Sequence, residues 1–247
     1  MIEIEHKIYG DDMQAVEVHL DKNEAVRAEA GALLYMEQGI KMQTNTGGIW
    51  KGVKRMFTSE SFFITNFMQT TVGKGKVAFA APYPGKIIHI DLNKFNGEFL
   101  CQRDSFLCAV EGIEIDVAFT KRLGAGLFGG EGFILQSLKG KGDAFVHAGG
   151  TVIHKELKAG ETLRVDTGCI VGFASNVDYD IKFVGGFRNA LFGGEGLFLA
   201  TLTGPGKVYL QTLPFSRLAD RIAKATMKNH GEKKGARSGN LNFKVNI

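Results

Sequence analysis

The hexapeptide LFGGEG at residues 127–132 returns unchanged at residues 191–196, 64 positions later. A period of that length constrains the fold more than any single motif, because each copy is one supersecondary unit that buries its apolar face against its neighbours. The likeness continues past the hexapeptide, with FILQSLKGKGDAFVHA after Gly132 and LFLATLTGPGKVYLQT after Gly196. Each reads as an apolar strand, a Gly-x-Gly turn and a returning strand, which predicts a β-hairpin. A third, more diverged copy lies upstream: MFTSESFFITNF at 56–67 precedes GKGKVAFAA at 73–81, with Phe57 and Glu60 in the places of the hexapeptide Phe and Glu.

The first halves of the units align as well. Asn23-Glu24 leads into VRAEAGALLYM, Gly97-Glu98 into FLCQRDSFLCAV and Gly160-Glu161 into TLRVDTGCIVGF, each a turn, a strand, a small residue (Gly31, Ser105, Gly168) and a further apolar run. Thirty-three glycines against four prolines, with nineteen phenylalanines, fit many short strands joined by tight turns. The expected fold is all-β: three tandem repeats at 1–82, 83–147 and 148–214, followed by a basic amphipathic helix and tail at 215–247, all in one folded domain. In the tail, FSRLADRIAKATMKNH sets Phe215, Leu218, Ile222 and Ala225 at helical spacing with Arg217, Arg221, Lys224 and Lys228 elsewhere. The following GEKKGARSGN is polar and reads as a mobile segment, while LNFKVNI has strand character.

The repeat also decides what the glycines are for. A phosphate loop ends a strand and opens a helix whose amides face the phosphate. Here both hexapeptides run into strands, and no Lys-Ser or Lys-Thr follows. The glycines are therefore expected to serve positive φ or close packing where repeats meet, and Glu60, Glu131 and Glu195 to accept hydrogen bonds from loop amides. Cys101, Cys108 and Cys169 lack C-x-x-C spacing and lie in or beside apolar runs, so they read as core residues. Seven basic and two acidic residues fall between Phe215 and Ser238, leaving the rest of the chain nearly neutral. That body lacks the electrostatic footprint of a nucleic-acid binder, and any anionic surface would be met by the tail. No apolar run approaches the roughly 18 residues of a membrane span, and the charged start MIEIEHKIYG is unlike a signal peptide, so a soluble, cytoplasmic chain is expected.

With the copies laid out, the chain resembles the mitochondrial biogenesis family named for altered inheritance of mitochondria, in its bacterial branch. The stretches that carry the resemblance are PYPGKIIHIDL (82–92), QRDSFL (102–107), GAGLFGGEGFILQ (124–136), LRVDTG (163–168), VDYDI (177–181) and GGFRNALFGGEGLFLATLTGPGKVYLQTLPFSRLA (185–219). The resemblance implies a fold like that of the tryptophan RNA-binding attenuation protein, with three double-stranded β-helix units arranged as a closed, ring-like prism. It implies no activity: bacterial members are largely uncharacterised, while eukaryotic ones are linked to mitochondrial inner-membrane organisation. A shared fold does not transfer ligands. Lys141 aligns with Lys74 but with Pro205 in the third copy, so the repeated basic set of an RNA-reading ring is missing.

Candidate chemistry is sparse. His89 and His154 align with Glu17, which breaks a threefold metal set and leaves exposed strand histidines. Asp178 and Asp180 share one strand face and read as solvated, since the calcium-loop pattern is absent. Arg103 and Asp104 align with Glu29-Ala30 and Asp166-Thr167; this unrepeated charged pair is the best polar candidate for a site. No nucleophile elbow is present. The expectation is a non-enzymatic structural or interaction protein without cofactor or metal, presenting a rigid β-repeat ring to a protein or membrane partner and open to homo-oligomerisation. The alternative is a small-molecule-binding module with a pocket between repeats.

Overall fold

A computed structural model describes residues 4–44, 64–121, 133–183 and 198–232. These residues form antiparallel β-sheets and one C-terminal helix. The first third holds β1 (His6–Tyr9), β2 (Ala15–Leu20), β3 (Ala25–Glu29), β4 (Leu33–Met36), β5 (Ile40–Thr44), β6 (Ile64–Gln69) and β7 (Gly75–Ala80). The second holds β8 (Gly85–Asp91), β9 (Glu98–Gln102), β10 (Phe106–Val110), β11 (Glu114–Lys121), β12 (Phe133–Lys139) and β13 (Asp143–Gly149). The last holds β14 (Val152–Leu157), β15 (Thr162–Asp166), β16 (Ile170–Ala174), β17 (Asp178–Phe183), β18 (Phe198–Thr203) and β19 (Gly206–Gln211), then helix α1 (Phe215–Glu232).

One pairing scheme recurs. In each third the first strand of the scheme pairs with the last, as in β2 with β7, β8 with β13 and β14 with β19. The last strand also takes β4, β10 or β16 on its other edge. A second sheet forms around β6, β12 or β18, so the strands on either side of the turns at 140–142 and 204–206 fall in different sheets and the hairpins expected there do not form: the turn carries the chain from one sheet to the other. Neighbouring thirds then join strand to strand: β10 crosses to β3 and β16 crosses to β9. The resulting sheets are open, with orders β1-β2-β7-β4, β5-β6-β3-β10-β13-β8, β11-β12-β9-β16-β19-β14 and β15-β18-β17. Strands β4 and β15 thus end their sheets where their counterparts cross to another third. One continuous apolar core runs through all three parts, from Val16 and Phe79 through Phe99 and Phe145 to Phe173 and Leu202.

The two crossings are packed differently. At the second, Gly172 stands opposite Cys101, and a Cβ there would come within 2.6 Å of both the Leu100 carbonyl oxygen and the Phe99 ring. At the first, Cys108 stands opposite Ala28, and Val26 takes the place of Phe99. Large beside absent in one crossing becomes medium beside small in the other.

Candidate functional site

The links between the thirds meet in one place. The Gly150 amide donates to the Pro84 carbonyl (3.3 Å), and the Leu213 amide to that of Gly149 (3.0 Å). The Thr151 amide donates to Thr212 Oγ1 at 2.9 Å. Buried Gln211 ties the hub together: its Oε1 accepts from the Gly149 amide (2.8 Å) and its Nε2 donates to the Gly168 carbonyl (2.9 Å). Two consecutive glycines are needed, because a Cβ on Gly149 would strike the Leu213 backbone and Gly150 has φ of +70°.

Against this hub lies a cleft of about 360 Å³, lined by Tyr83, Gln102, Arg103 and Asp104 on one side and by Gln211, Phe215 and Asp220 on the other. Arg103 Nε reaches Asp104 Oδ1 at 3.2 Å. The Tyr83 ring lies 5.3 Å from Phe215 and meets His147 edge-on at 4.5 Å. Burial, and then the charges of Asp104 and Glu29, push the Tyr83 hydroxyl well above its ordinary pKa. His147 is buried with its Nδ1 unpartnered, and burial lowers its pKa to about 4, so it is neutral. Gln102 is only 5% exposed, yet its amide makes no hydrogen bond to another described residue. Its amide atoms stay open to solvent through the cleft, so a ligand there would take the place of water.

Arg103 and Asp104 therefore line a cleft, but their alignment needs correction by one residue. The strands end at Glu29, Gln102 and Asp166, and a 3-10 turn follows each, at Ala30–Ala32, Arg103–Ser105 and Thr167–Cys169. Arg103 thus matches Ala30 and Thr167, and Ser105 matches Ala32 and Cys169 instead of Gly31 and Gly168. The threefold feature is the polar residue just before the turn. Asp166 accepts from the Gly168 amide (3.0 Å) and pairs with Arg217 (2.6 Å). Burial and the nearby Asp104 charge raise the Glu29 carboxyl. Gln102 alone of the three faces the cleft. Sequence reasoning missed Gln102, Tyr83, His147, Gln211 and Phe215 as site residues, although the recurrence of a polar residue at 29, 102 and 166 could have singled out Gln102.

The other candidates do not join this cleft. Glu60, Glu131 and Glu195 lie outside the described residues, as do GEKKGARSGN, apart from its Gly231-Glu232 at the end of α1, and LNFKVNI. Strand pairing sets Glu17, His89 and His154 at one position, opposite Ala78, Phe145 and Tyr209. His154 is exposed, but His89 is half-buried and reaches buried Asp143 at 2.6 Å, because Asp143 also accepts from the Ile4 amide (2.8 Å) and is fixed there. Glu17 accepts from the hydroxyls of Tyr9 and Tyr35 and contacts His19, which holds its carboxyl down at about 2. Asp178 and Asp180 are exposed, and Lys182 pairs with Asp180 at 2.8 Å. Cys101 and Cys108 are wholly buried, and burial pushes the Cys101 thiol up to about 12; Cys169 is half-buried. Helix α1 docks through its first turns, while Ile222 is 59% exposed. Among the described residues, no helix is long and apolar enough to cross a membrane.

Known proteins match this architecture. The family described as mitochondrial biogenesis AIM24 matches residues 6–213. An uncharacterised protein of Streptococcus pyogenes serotype M6 is 27% identical over 216 residues, covering 84% of each chain. A crystal structure of another Streptococcus pyogenes protein superimposes with a TM-score of 0.73 at 24% identity, over 90% of this chain and 100% of that one; at this identity the likeness is one of fold. The family match spans both strand crossings and the hub, so the chain belongs to the mitochondrial biogenesis AIM24 family.

Proposed function

We propose that the chain is a non-enzymatic interaction protein whose three β repeats form a ring-like prism with a seam between β4 and β15, where a protein partner engages. The observation that carries this reading is the outer surface of β4: Leu34, Tyr35 and Met36 are 56%, 44% and 40% exposed, whereas every residue of β10 and β16 is buried. An apolar strand at a sheet edge is a template for strand addition. The test is photocrosslinking in the native host from a reactive residue at Leu34 or, as control, at exposed Val117. A discrete partner captured from Leu34 alone, and lost with Met36→Lys, supports the seam; identical products from both positions, or none from Leu34, overturn it.

A second reading, a small-molecule-binding module, is favoured by the hub cleft, where Gln102 and Tyr83 present polar groups with no hydrogen-bond partner among the described residues. Native mass spectrometry of the purified chain tests it by looking for a ligand that Gln102→Leu releases.

A further inference from the structure

We propose that the hub cleft takes a small organic cation, a primary ammonium on a short apolar body. The proposal rests on the second reading above and supplies its ligand chemistry. Three features bear on this class: the charge selects a cation, and the hydrogen-bonding groups and the apolar wall accommodate it.

The first is hydrogen-bonding capacity. Gln102 Oε1 and the Tyr83 hydroxyl can both accept, and their residues are only 5% and 8% exposed, so water reaches them chiefly through the cleft. An ammonium carries three donors and can meet both. The second is charge. The lining offers two carboxylates, Asp104 and Asp220, against one guanidinium, Arg103, whose Nε is already directed at Asp104. Asp220 makes no ion pair with another described residue. A carboxylate ligand would meet Asp220 and be repelled, whereas an ammonium would pair with it. The third is the apolar wall. The Tyr83 and Phe215 rings lie 5.3 Å apart at 42°, which offers π faces to a cation and cover for methylene groups. The cleft, at about 360 Å³, is at the small end of the usual range for ligand pockets.

Intact protein is titrated with n-butylammonium, butyrate and 1-butanol, which share a chain length and differ in charge, and binding is followed by calorimetry. The ammonium is expected to bind at least tenfold more tightly than either analogue. Asp220→Asn weakens it tenfold or more, while Asp178→Asn on β17 leaves it unchanged. Gln102→Leu weakens binding without lowering the melting temperature, because its amide makes no internal hydrogen bond to lose; a purely structural Gln102 would give the opposite pattern. Equal binding by the Asp220→Asn variant, stronger binding of butyrate, or no ammonium binding at several millimolar overturns the cation assignment. A neutral or anionic ligand found by native mass spectrometry and released by Gln102→Leu also overturns it, while leaving the cleft a ligand site. Absence of any ligand that depends on Gln102 removes both readings.

Discussion

Two strand crossings join the thirds of this molecule, while β4 and β15, the counterparts of the strands that would make a third crossing, end their sheets. The contrast is sharpest at one equivalent position. Met36, Ala109 and Phe173 stand opposite Val77, Ala144 and Val208 in the same scheme. Ala109 and Phe173 are fully buried, and Met36 is 40% exposed. Burial here is decided by whether a neighbouring repeat arrives, and only secondarily by the side chain. That is the expected behaviour of a repeat array, in which stability is a sum of units and interfaces.

The largest effect should come from removing both crossings at once. Residues 84–150 expressed alone would expose β9 and β10, whose apolar residues are covered by β16 and β3 in the whole chain. No cooperative thermal transition is expected, and sedimentation should show aggregates; a stable monomer with a sharp melt would break the comparison. Next, Phe173→Ala should cost about 3–5 kcal/mol by urea unfolding, as for other large-to-small core changes. Met36→Ala at the equivalent exposed position should cost under about 1 kcal/mol. Similar losses would mean that β4 is covered in solution.

Acid separates the second and third repeats from each other. His147 on β13 and Gln211 on β19 both directly follow the equivalent pairing positions Val146 and Leu210, but Gln211 has a hydrogen-bond partner at both Oε1 and Nε2 while His147 has Nδ1 unpartnered. Unfolded, the imidazole takes a proton below about 6.5; folded, it does so only near 4. The unfolded state therefore binds more protons in that window, and stability falls as pH drops from 6.5 to 4, by at most about 3 kcal/mol. His147→Leu should flatten this part of the stability curve. An unchanged slope would show that His147 is not the group responsible. Gly172→Ala presses on Leu100 and Phe99 across the second crossing and should cost about 1–3 kcal/mol in chemical denaturation, less than Phe173→Ala. A neutral result would show the crossing to be looser than its geometry.

The strand runs and the equivalence of Glu17, His89 and His154 were legible in the sequence, because apolar alternation is a local signal, whereas the Gly-x-Gly hairpins were misread: β12 and β13, like β18 and β19, leave their turn into different sheets, since glycines mark where a chain bends and not which strand it pairs with. The one-residue slip at Arg103 arose in a 3-10 turn of three residues, too short to carry a period that fixes its register. The cleft was half legible. Arg103 and Asp104 were visible as an unrepeated charged pair, whereas Tyr83, Gln211 and Phe215 come from links and strand ends that converge only in space. Helix α1 was plain from its apolar spacing, but nothing in that spacing told how soon it leaves the body after Phe215 and Arg217.

The exchange of volume between the crossings, Phe99 beside Gly172 in one and Val26 beside Cys108 in the other, acts as an address. A strand carrying Cys108 laid against Phe99 would collide with the ring, and one carrying Gly172 laid against Val26 would leave a void; either mismatch costs on the order of 1 kcal/mol or more. Repeats of common design are prone to trading places, within a chain during synthesis or between chains at high concentration. Here each seat admits its own occupant best. The order of the repeats is thus written into the shape of their joints as well as into the chain that links them, and a transplanted repeat would have to bring both halves of its joint with it.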